Sequence, residues 1–231
     1  MGIIFAQKSF RFTSKVFRCT IHAMKKTSFR QMPETDLARF QTLQLGNDCA
    51  IHAICAAVEL LTEARIDPLD LIREVNRVWW QGKIFRLAPK QGITPPLQAR
   101  LVNYLAKTRD LPIRAELLHL NPEILRATAD ADNLASLVTI YWWFRNSPPI
   151  YYKNSDKNYN RPEGAGGHTM LFAAYDPEHR SGELSTPWGF INSWVKEGSG
   201  LFWMTAEDFR ASWGIRIPRI GSNATVVISP K

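Results

Sequence analysis

The segment 44–61 constrains the fold most, because a polar turn is followed there by an apolar run without Gly or Pro. Asn47 or Asp48 can act as the N-cap, since a short polar side chain accepts hydrogen bonds from the free N–H groups of a first helical turn. Only His52 and Glu59 interrupt the apolar residues that follow. A helix that is apolar nearly all round is buried inside a domain. The sequence therefore predicts a buried central helix.

Cys49 lies in the first turn of this predicted helix. The unpaired N–H groups and the positive end of the helix dipole favour a thiolate over a thiol at such a position. Cys49 is therefore a candidate nucleophile, and the alternative is a small core residue that happens to begin a helix. Cys55 lies on the same helix, about 9 Å further along the axis, which is too far for a disulfide with Cys49.

The composition is that of a globular protein with one domain or two closely packed lobes. The chain has 231 residues, of which 45% are hydrophobic and 22% charged, so it can bury a sizeable core. No apolar run reaches the length of a membrane-spanning helix. Three cysteines do not form a disulfide framework, and we expect free thiols and a cytoplasmic location.

The net charge of +8 belongs almost entirely to the N-terminus. Residues 1–33 contain seven basic residues and no acidic one, and the rest of the chain is nearly neutral. We therefore predict a basic N-terminal arm over 1–33 and one domain over 34–231. A targeting segment, a poorly ordered arm and a later start at Met24 or Met32 all remain open for the arm. The neutral domain argues against a nucleic-acid partner.

The remaining chain changes from helical to β-rich patterns, which predicts an α+β fold. A helical N-terminal lobe with the buried Cys49 helix would pack on a C-terminal antiparallel β lobe. A polar loop at 146–167 is long enough to suggest a functional role or mobility. Further helices are predicted near 67–77, 97–107, 122–128 and 205–212, and strands near 136–144, 168–175, 188–194, 201–204 and 224–229.

A nucleophilic cysteine needs a base and a group that orients the base. His168 follows two glycines and begins an apolar strand that would hold it rigidly, and Asn192 lies on the next predicted strand. The order Cys, His, Asn on helix, strand and strand favours a catalytic role for each. His52, on the helix of Cys49, is a weaker candidate base. A zinc site from Cys49, His52 and His168 is disfavoured, because no Cys/His pair has the usual ligand spacing.

These residues resemble the motifs of papain-like cysteine peptidases, and within that fold those of the bacteriocin-leader (double-glycine, C39) peptidases. The glutamine, the Asp-Cys pair, a Gly-Ile-Thr-Pro segment and the His strand are similar to the leader-peptidase type. The Asn-Ser-Trp strand is closer to papain itself. The matching segments are Gln44…Asp48-Cys49, Gly92-Ile93-Thr94-Pro95, Gly167-His168 through Tyr175-Asp176, and Asn192-Ser193-Trp194.

The resemblance implies a cysteine hydrolase that cleaves a peptide or protein substrate through a thioester, without a metal or organic cofactor. Cys49 would be the nucleophile, His168 the base and then the acid, and Asn192 the group that orients His168. Gln44 and the Cys49 N–H would form the oxyanion hole. The implied substrate cleft contains Gly92, Ile93, Thr94 and Gly167. Two alternatives remain: an acyltransferase or transglutaminase-like enzyme on the same triad, and a non-catalytic peptide-binding module.

Overall fold

A computed structural model of the chain describes residues 27–75, 79–80, 83–84, 92–143, 147–152, 165–194 and 200–231. Most of the predicted basic arm, with Cys19 and His22, lies outside these residues. Much of the predicted polar loop at 146–167 lies outside them as well.

The described residues form six α-helices, a short 3-10 helix at Phe29–Gln31 and twelve strands. The helices are α1 (Glu34–Ala38), α2 (Cys49–Thr62), α3 (Pro68–Val75), α4 (Pro95–Thr108), α5 (Pro122–Ala129) and α6 (Ala206–Trp213). The strands are β1 (Thr27–Ser28), β2 (Trp79–Trp80), β3 (Lys83–Ile84), β4 (Ile113–His119), β5 (Ala135–Trp142), β6 (Tyr151–Tyr152), β7 (Gly166–Tyr175), β8 (Arg180–Ser181), β9 (Leu184–Ser185), β10 (Trp188–Ile191), β11 (Phe202–Met204) and β12 (Ala224–Pro230).

One antiparallel sheet organises the molecule. Its strands run in the order β4-β12-β5-β7-β10-β11-β6, and β1 pairs with the end of β7. The strands β2 with β3 and β8 with β9 form two small ribbons outside this sheet. The longest strand, β7, lies between β5 and β10, and α2 packs against β7 and β5. This is the predicted α+β arrangement of a helical first part and an antiparallel second part.

Helix α2 is the buried helix that the sequence predicts. It begins at Cys49 with Asp48 in the N-cap position, and it ends at Thr62, followed by the C-cap Glu63, whose backbone is left-handed with φ of 62°. Asp48 caps no helical N–H, because its Oδ1 accepts a hydrogen bond from the Gly46 N–H at 3.1 Å. Burial of an aliphatic side chain contributes about 1.5–3 kcal/mol. The fully buried members of α2 are Ile51, Ile54, Ala57 and Val58.

The last part of the predicted basic arm contacts the domain in the structure. Strand β1 pairs with the C-terminal end of β7, and Phe29, with 3% of its surface exposed, belongs to the core that contains α2. Residues 27–33 therefore pack on the domain. The sequence missed this because a single aromatic residue among basic and hydroxylic neighbours carries no periodic signal.

The structure shortens one predicted strand and adds another that the sequence did not predict. The strand predicted at 188–194 ends at Ile191, so Asn192 lies directly after β10 rather than on it. Strand β4 was not predicted at all, yet it pairs along its whole length with β12.

Candidate active site

The Cys49 sulfur lies between the start of α2 and an open edge of β7. Strand β10 pairs with β7 only from Leu171 onward, so the edge of β7 at Thr169 meets α2 instead of another strand. The Thr169 N–H donates to Cys49 Sγ across 3.4 Å. A hydrogen bond donated to sulfur favours its charged form. Cys49 is 7% exposed, so the sulfur is nearly enclosed.

The imidazole of His168 is held by Asn192 and covered by Trp194. His168 Nε2 and Asn192 Oδ1 are 2.7 Å apart, and the two residues are 3% and 2% exposed. The amide oxygen only accepts, so Nε2 carries the proton and Nδ1 is the basic nitrogen of neutral His168. The Trp194 ring lies 4.4 Å from the imidazole, centroid to centroid, at 30°.

Asn192 is itself braced by Gln41. The Asn192 N–H donates to Gln41 Oε1 across 3.2 Å, and Gln41 Nε2 donates to the Gly200 carbonyl across 3.0 Å. Gln41 is 6% exposed. The oxygen and the nitrogen of the Gln41 amide therefore hold the backbone at residue 192 and at residue 200, respectively.

Gln44 lies between the Asn192–Ser193 segment and the turn that leads into α2. Its backbone N–H donates to the Ser193 carbonyl across 2.8 Å, and its Oε1 accepts from Ser193 Oγ at 2.6 Å. Its Nε2 donates to the Gly46 carbonyl across 2.6 Å. An amide nitrogen carries two N–H groups, so one remains for a further acceptor.

The predicted cleft segment runs beside the turn that precedes Cys49. Gly92 and Thr94 are exposed, whereas Ile93 is buried. A side chain at Gly92 would point toward the Asn47 carbonyl, with its Cβ 3.7 Å from that oxygen. Gly92 therefore lies beside Asn47, two residues before Cys49 in the chain.

Gln98 connects this segment to β7 and is completely buried. Its Nε2 donates to the Ile93 carbonyl at 3.0 Å and to Thr169 Oγ1 at 2.9 Å. Thr139 Oγ1 lies 3.0 Å from Thr169 Oγ1 and extends the polar cluster. Gly167, the fourth predicted cleft residue, is exposed two residues before Thr169. Ile93 is therefore linked through Gln98 to Thr169, whose N–H contacts the Cys49 sulfur.

His52 is occupied by structural contacts. Its Nδ1 lies 2.6 Å from Thr42 Oγ1, and its Nε2 lies 3.4 Å from Asp48 Oδ2. Burial lowers the pKa of His52, and the Asp48 carboxylate opposes that shift. The remaining described histidines are remote from these contacts: His119 bonds the Ser222 carbonyl, and His179 stacks on Trp203 with 3.7 Å between ring centroids.

Cys55 differs sharply from Cys49. Burial raises its pKa to about 12, which keeps the thiol protonated. Cys49 and Cys55 are both free thiols. In the part of the chain that the structure describes, no three His, Cys, Asp or Glu side chains are grouped as metal ligands would be.

Three contributors to this site were not predicted. The Thr169 N–H, the Gln41 brace and the buried Gln98 each act through contacts between segments far apart in sequence. For Thr169, the sequence offers one signal, which is its position directly after His168. Only the structure shows that β10 leaves this edge of β7 unpaired. Gln41 and Gln98 had none, because a polar residue in a loop or helix is ordinarily solvated.

Comparison with known proteins gives the fold. Neither a family model nor a curated protein sequence matches the chain. A solved structure from Bacillus anthracis, provisionally described as a C39-like peptidase, superimposes with a TM-score of 0.54 at 13% identity. The match covers 90% of this chain and 98% of that one. The chain therefore has the α+β fold of C39-like peptidases, and the predicted papain-like fold class is confirmed.

Over the described ranges, no helix is both long enough and apolar enough to cross a membrane.

Proposed function

We propose that the protein is a cysteine peptidase that uses Cys49, His168 and Asn192. One observation carries the proposal. His168 and Asn192 are buried, with 2.7 Å between Nε2 and Oδ1, and Thr169, the residue after His168, donates its N–H to the Cys49 sulfur. A structural role would not require a thiol at this place. The C39-like fold supports the same conclusion, because the cysteine begins the central helix that the fold packs against its sheet.

The reaction begins with proton transfer from the Cys49 thiol to Nδ1 of His168. The sulfur bonds to the carbonyl carbon of the substrate, and the carbonyl oxygen takes the negative charge. Collapse of this tetrahedral intermediate breaks the C–N bond, and His168 gives its proton to the leaving amine. Water then attacks the thioester while His168 takes its proton. The C–S bond then breaks, the carboxylic acid is released, and His168 returns the proton to the sulfur.

Asn192 and Trp194 keep His168 ready for both transfers. Asn192 Oδ1 holds the proton on Nε2, which leaves Nδ1 as the basic nitrogen. The Trp194 ring covers the imidazole and protects this hydrogen bond from water. An orienting group of this kind stabilises the imidazolium without taking the proton.

The oxyanion would be bound at the N-terminus of α2. The Cys49 N–H and the second N–H of the Gln44 amide are the proposed donors. Gln44 is held in place by Ser193 and by the Gly46 carbonyl, so its amide is preorganised rather than free to rotate. Preorganised donors stabilise the charge that develops in the transition state.

A peptide mixture tests the proposal without knowledge of the substrate. The protein is incubated with a defined peptide library, and new termini are identified by mass spectrometry. We expect cleavage by the unmodified chain and by the matched control Cys55→Ala, and none by Cys49→Ala. Cleavage by Cys49→Ala would disprove the assignment. A lack of cleavage by the unmodified chain, with no acylation of Cys49, would favour a binding module.

Acyl transfer to an amine is the second candidate function, and the burial of the three site residues supports it. Cys49, His168 and Asn192 are 7%, 3% and 2% exposed, and a dry site lets an amine compete with water for the thioester. Adding a primary amine to the reaction separates the two functions. An amide product that replaces the acid would identify a transferase.

A further inference from the structure

Tyr141 lies against the backbone that leads into His168. It is on β5, directly opposite Gly167 on β7. A Cβ atom at Gly167 would be 2.9 Å from Tyr141 Cδ1, so the ring occupies the space of the missing side chain. The pairing places Tyr141 one residue from His168 and two from Thr169, whose N–H touches the Cys49 sulfur.

The hydroxyl of Tyr141 is buried and makes no hydrogen bond to the residues that the structure describes. A buried hydroxyl without a partner costs free energy. Packing on Gly167 needs the aromatic ring but not the hydroxyl, because phenylalanine would fill the same space. The contacts among the described residues therefore leave the hydroxyl unexplained.

The hydroxyl is a donor within the electric field of Cys49. Burial raises the pKa of Tyr141 to about 12, and the negative charge of Cys49 raises it as well. The phenol therefore stays protonated at neutral pH. The hydroxyl makes no hydrogen bond to the sulfur. It therefore lies beyond hydrogen-bond distance of the sulfur, but close enough for the charge of Cys49 to raise the pKa of Tyr141. A contact with this hydroxyl requires that a carbonyl group bonded to Sγ extend into that interval.

We propose that the Tyr141 hydroxyl donates a hydrogen bond to the carbonyl oxygen of the acyl group that Cys49 carries. This inference rests on the proposed function, because it requires Cys49 to form a thioester. The Tyr141 hydroxyl would be a third hydrogen-bond donor, on the sheet side of the sulfur. The Gln44 and Cys49 donors lie on the helix side. Tyr141 would then be a catalytic residue, since its hydroxyl contacts a reacting atom.

Two small probes isolate this contact. With p-nitrophenyl acetate, the sulfur bonds to the acetyl carbon, an oxyanion forms, and p-nitrophenolate leaves. With iodoacetamide, the sulfur displaces iodide from a saturated carbon and no oxyanion forms. We expect Tyr141→Phe to slow acylation about 10- to 100-fold, the range for a hydrogen bond to a charged oxygen, and to change alkylation less than about twofold. Its melting temperature should not fall.

Tyr104→Phe is the matched control, because Tyr104 lies on α4 outside the proposed site. Both of its rates should equal those of the unmodified chain. If Tyr141→Phe leaves acylation unchanged, the hydroxyl has no role and the inference is wrong. If it slows acylation and alkylation equally, Tyr141 acts on the thiol, which also overturns the inference. If the unmodified chain is not acylated at all, the proposed function fails together with it.

Discussion

The first and second turns of α2 each carry a cysteine, and the two thiols have opposite surroundings. Cys49 is the first residue of the helix and receives the Thr169 N–H from an edge of β7 at which no described strand pairs. Cys55 is enclosed by core side chains, and burial raises its pKa to about 12. We therefore expect the same residue type to serve chemistry at the end of this helix and packing in its middle.

The comparison shows that burial alone does not decide the role of a cysteine. The exposed fractions of Cys49 and Cys55 are 7% and 4%, which are nearly equal. The two cysteines differ in the backbone N–H groups that lie near each sulfur. The helix terminus offers free N–H groups, whereas the interior of the same helix has used its own in i to i−4 hydrogen bonds.

Alkylation tests the comparison most directly and should show the largest effect. At pH 8, a thiol with a pKa of about 12 is ionised in about one molecule in 10⁴. We expect iodoacetamide to modify Cys49 at least about 10³ times faster than Cys55. Mass spectrometry of peptides from the folded protein measures both rates. Unfolded protein in urea is the control and should lose the difference. Faster modification of Cys55 would reverse the assignment of the two thiols.

The two histidines near α2 extend the comparison to the base. His168→Ala should slow acylation of Cys49 by p-nitrophenyl acetate about 10²- to 10⁴-fold, because general-base catalysis is lost. His52→Gln should change the rate less than about tenfold, since Thr42 and Asp48 already engage the His52 ring. Stopped-flow absorbance measures both rates. An equal loss in the two variants would show that His52 takes part in the proton transfer.

Gln44 tests whether the first turn of α2 binds an oxyanion. Gln44→Ala should lower turnover about 10²- to 10³-fold and leave alkylation by iodoacetamide close to that of the unmodified chain. Alkylation develops no oxyanion, so it reports on the thiol alone. A loss of turnover below threefold would make Gln44 a loop residue that only supports Ser193.

Asn192 should matter less than His168, because it orients the ring and carries no proton. We expect Asn192→Ala to slow acylation about 10- to 100-fold, which corresponds to loss of a hydrogen bond to a charged imidazole. Gln41→Ala should give a smaller loss, since it acts on Asn192 only through the backbone. Equal effects of Asn192→Ala and His168→Ala, with both variants folded, would assign Asn192 a more direct part.

The smallest effect concerns stability at high pH. Cys55 has a pKa of about 12 in the folded chain and an ordinary value of 9.0. The unfolded chain therefore releases the proton first, and this contribution to stability is present below about pH 9 and is lost as pH rises toward 12. The loss reaches about 1.4 kcal/mol per pH unit. Melting curves of Cys55→Ala, which lacks the group, should show a shallower decline than the unmodified chain.

The elements that the sequence could predict are those with a signal inside one segment. Helix α2 shows a long apolar run after a polar turn, and β7 shows an apolar run after two glycines. The order of Cys49, His168 and Asn192 could be noticed for the same reason. Their catalytic roles stay a prediction, because the likeness to a solved structure shows only the fold.

Strand β4 shows why the rest could not be predicted. Its sequence, Ile-Arg-Ala-Glu-Leu-Leu-His, contains residues that favour helices. It becomes a strand because β12 pairs with it from Ile113↔Pro230 to His119↔Ala224, more than a hundred residues away. Tertiary pairing overrides local preference in such a case. The amide contacts of Gln41 and Gln98 were hidden for the same reason.

The Gln41 brace has a consequence for how such a protein can change over time. Gln41 fixes the backbone at Asn192 and at Gly200, so the stretch between them is anchored at both ends by one side chain. We therefore expect evolution to tolerate changes of sequence or length between these two anchor points, because Gln41 would still hold the backbone of Asn192, the partner of the His168 imidazole.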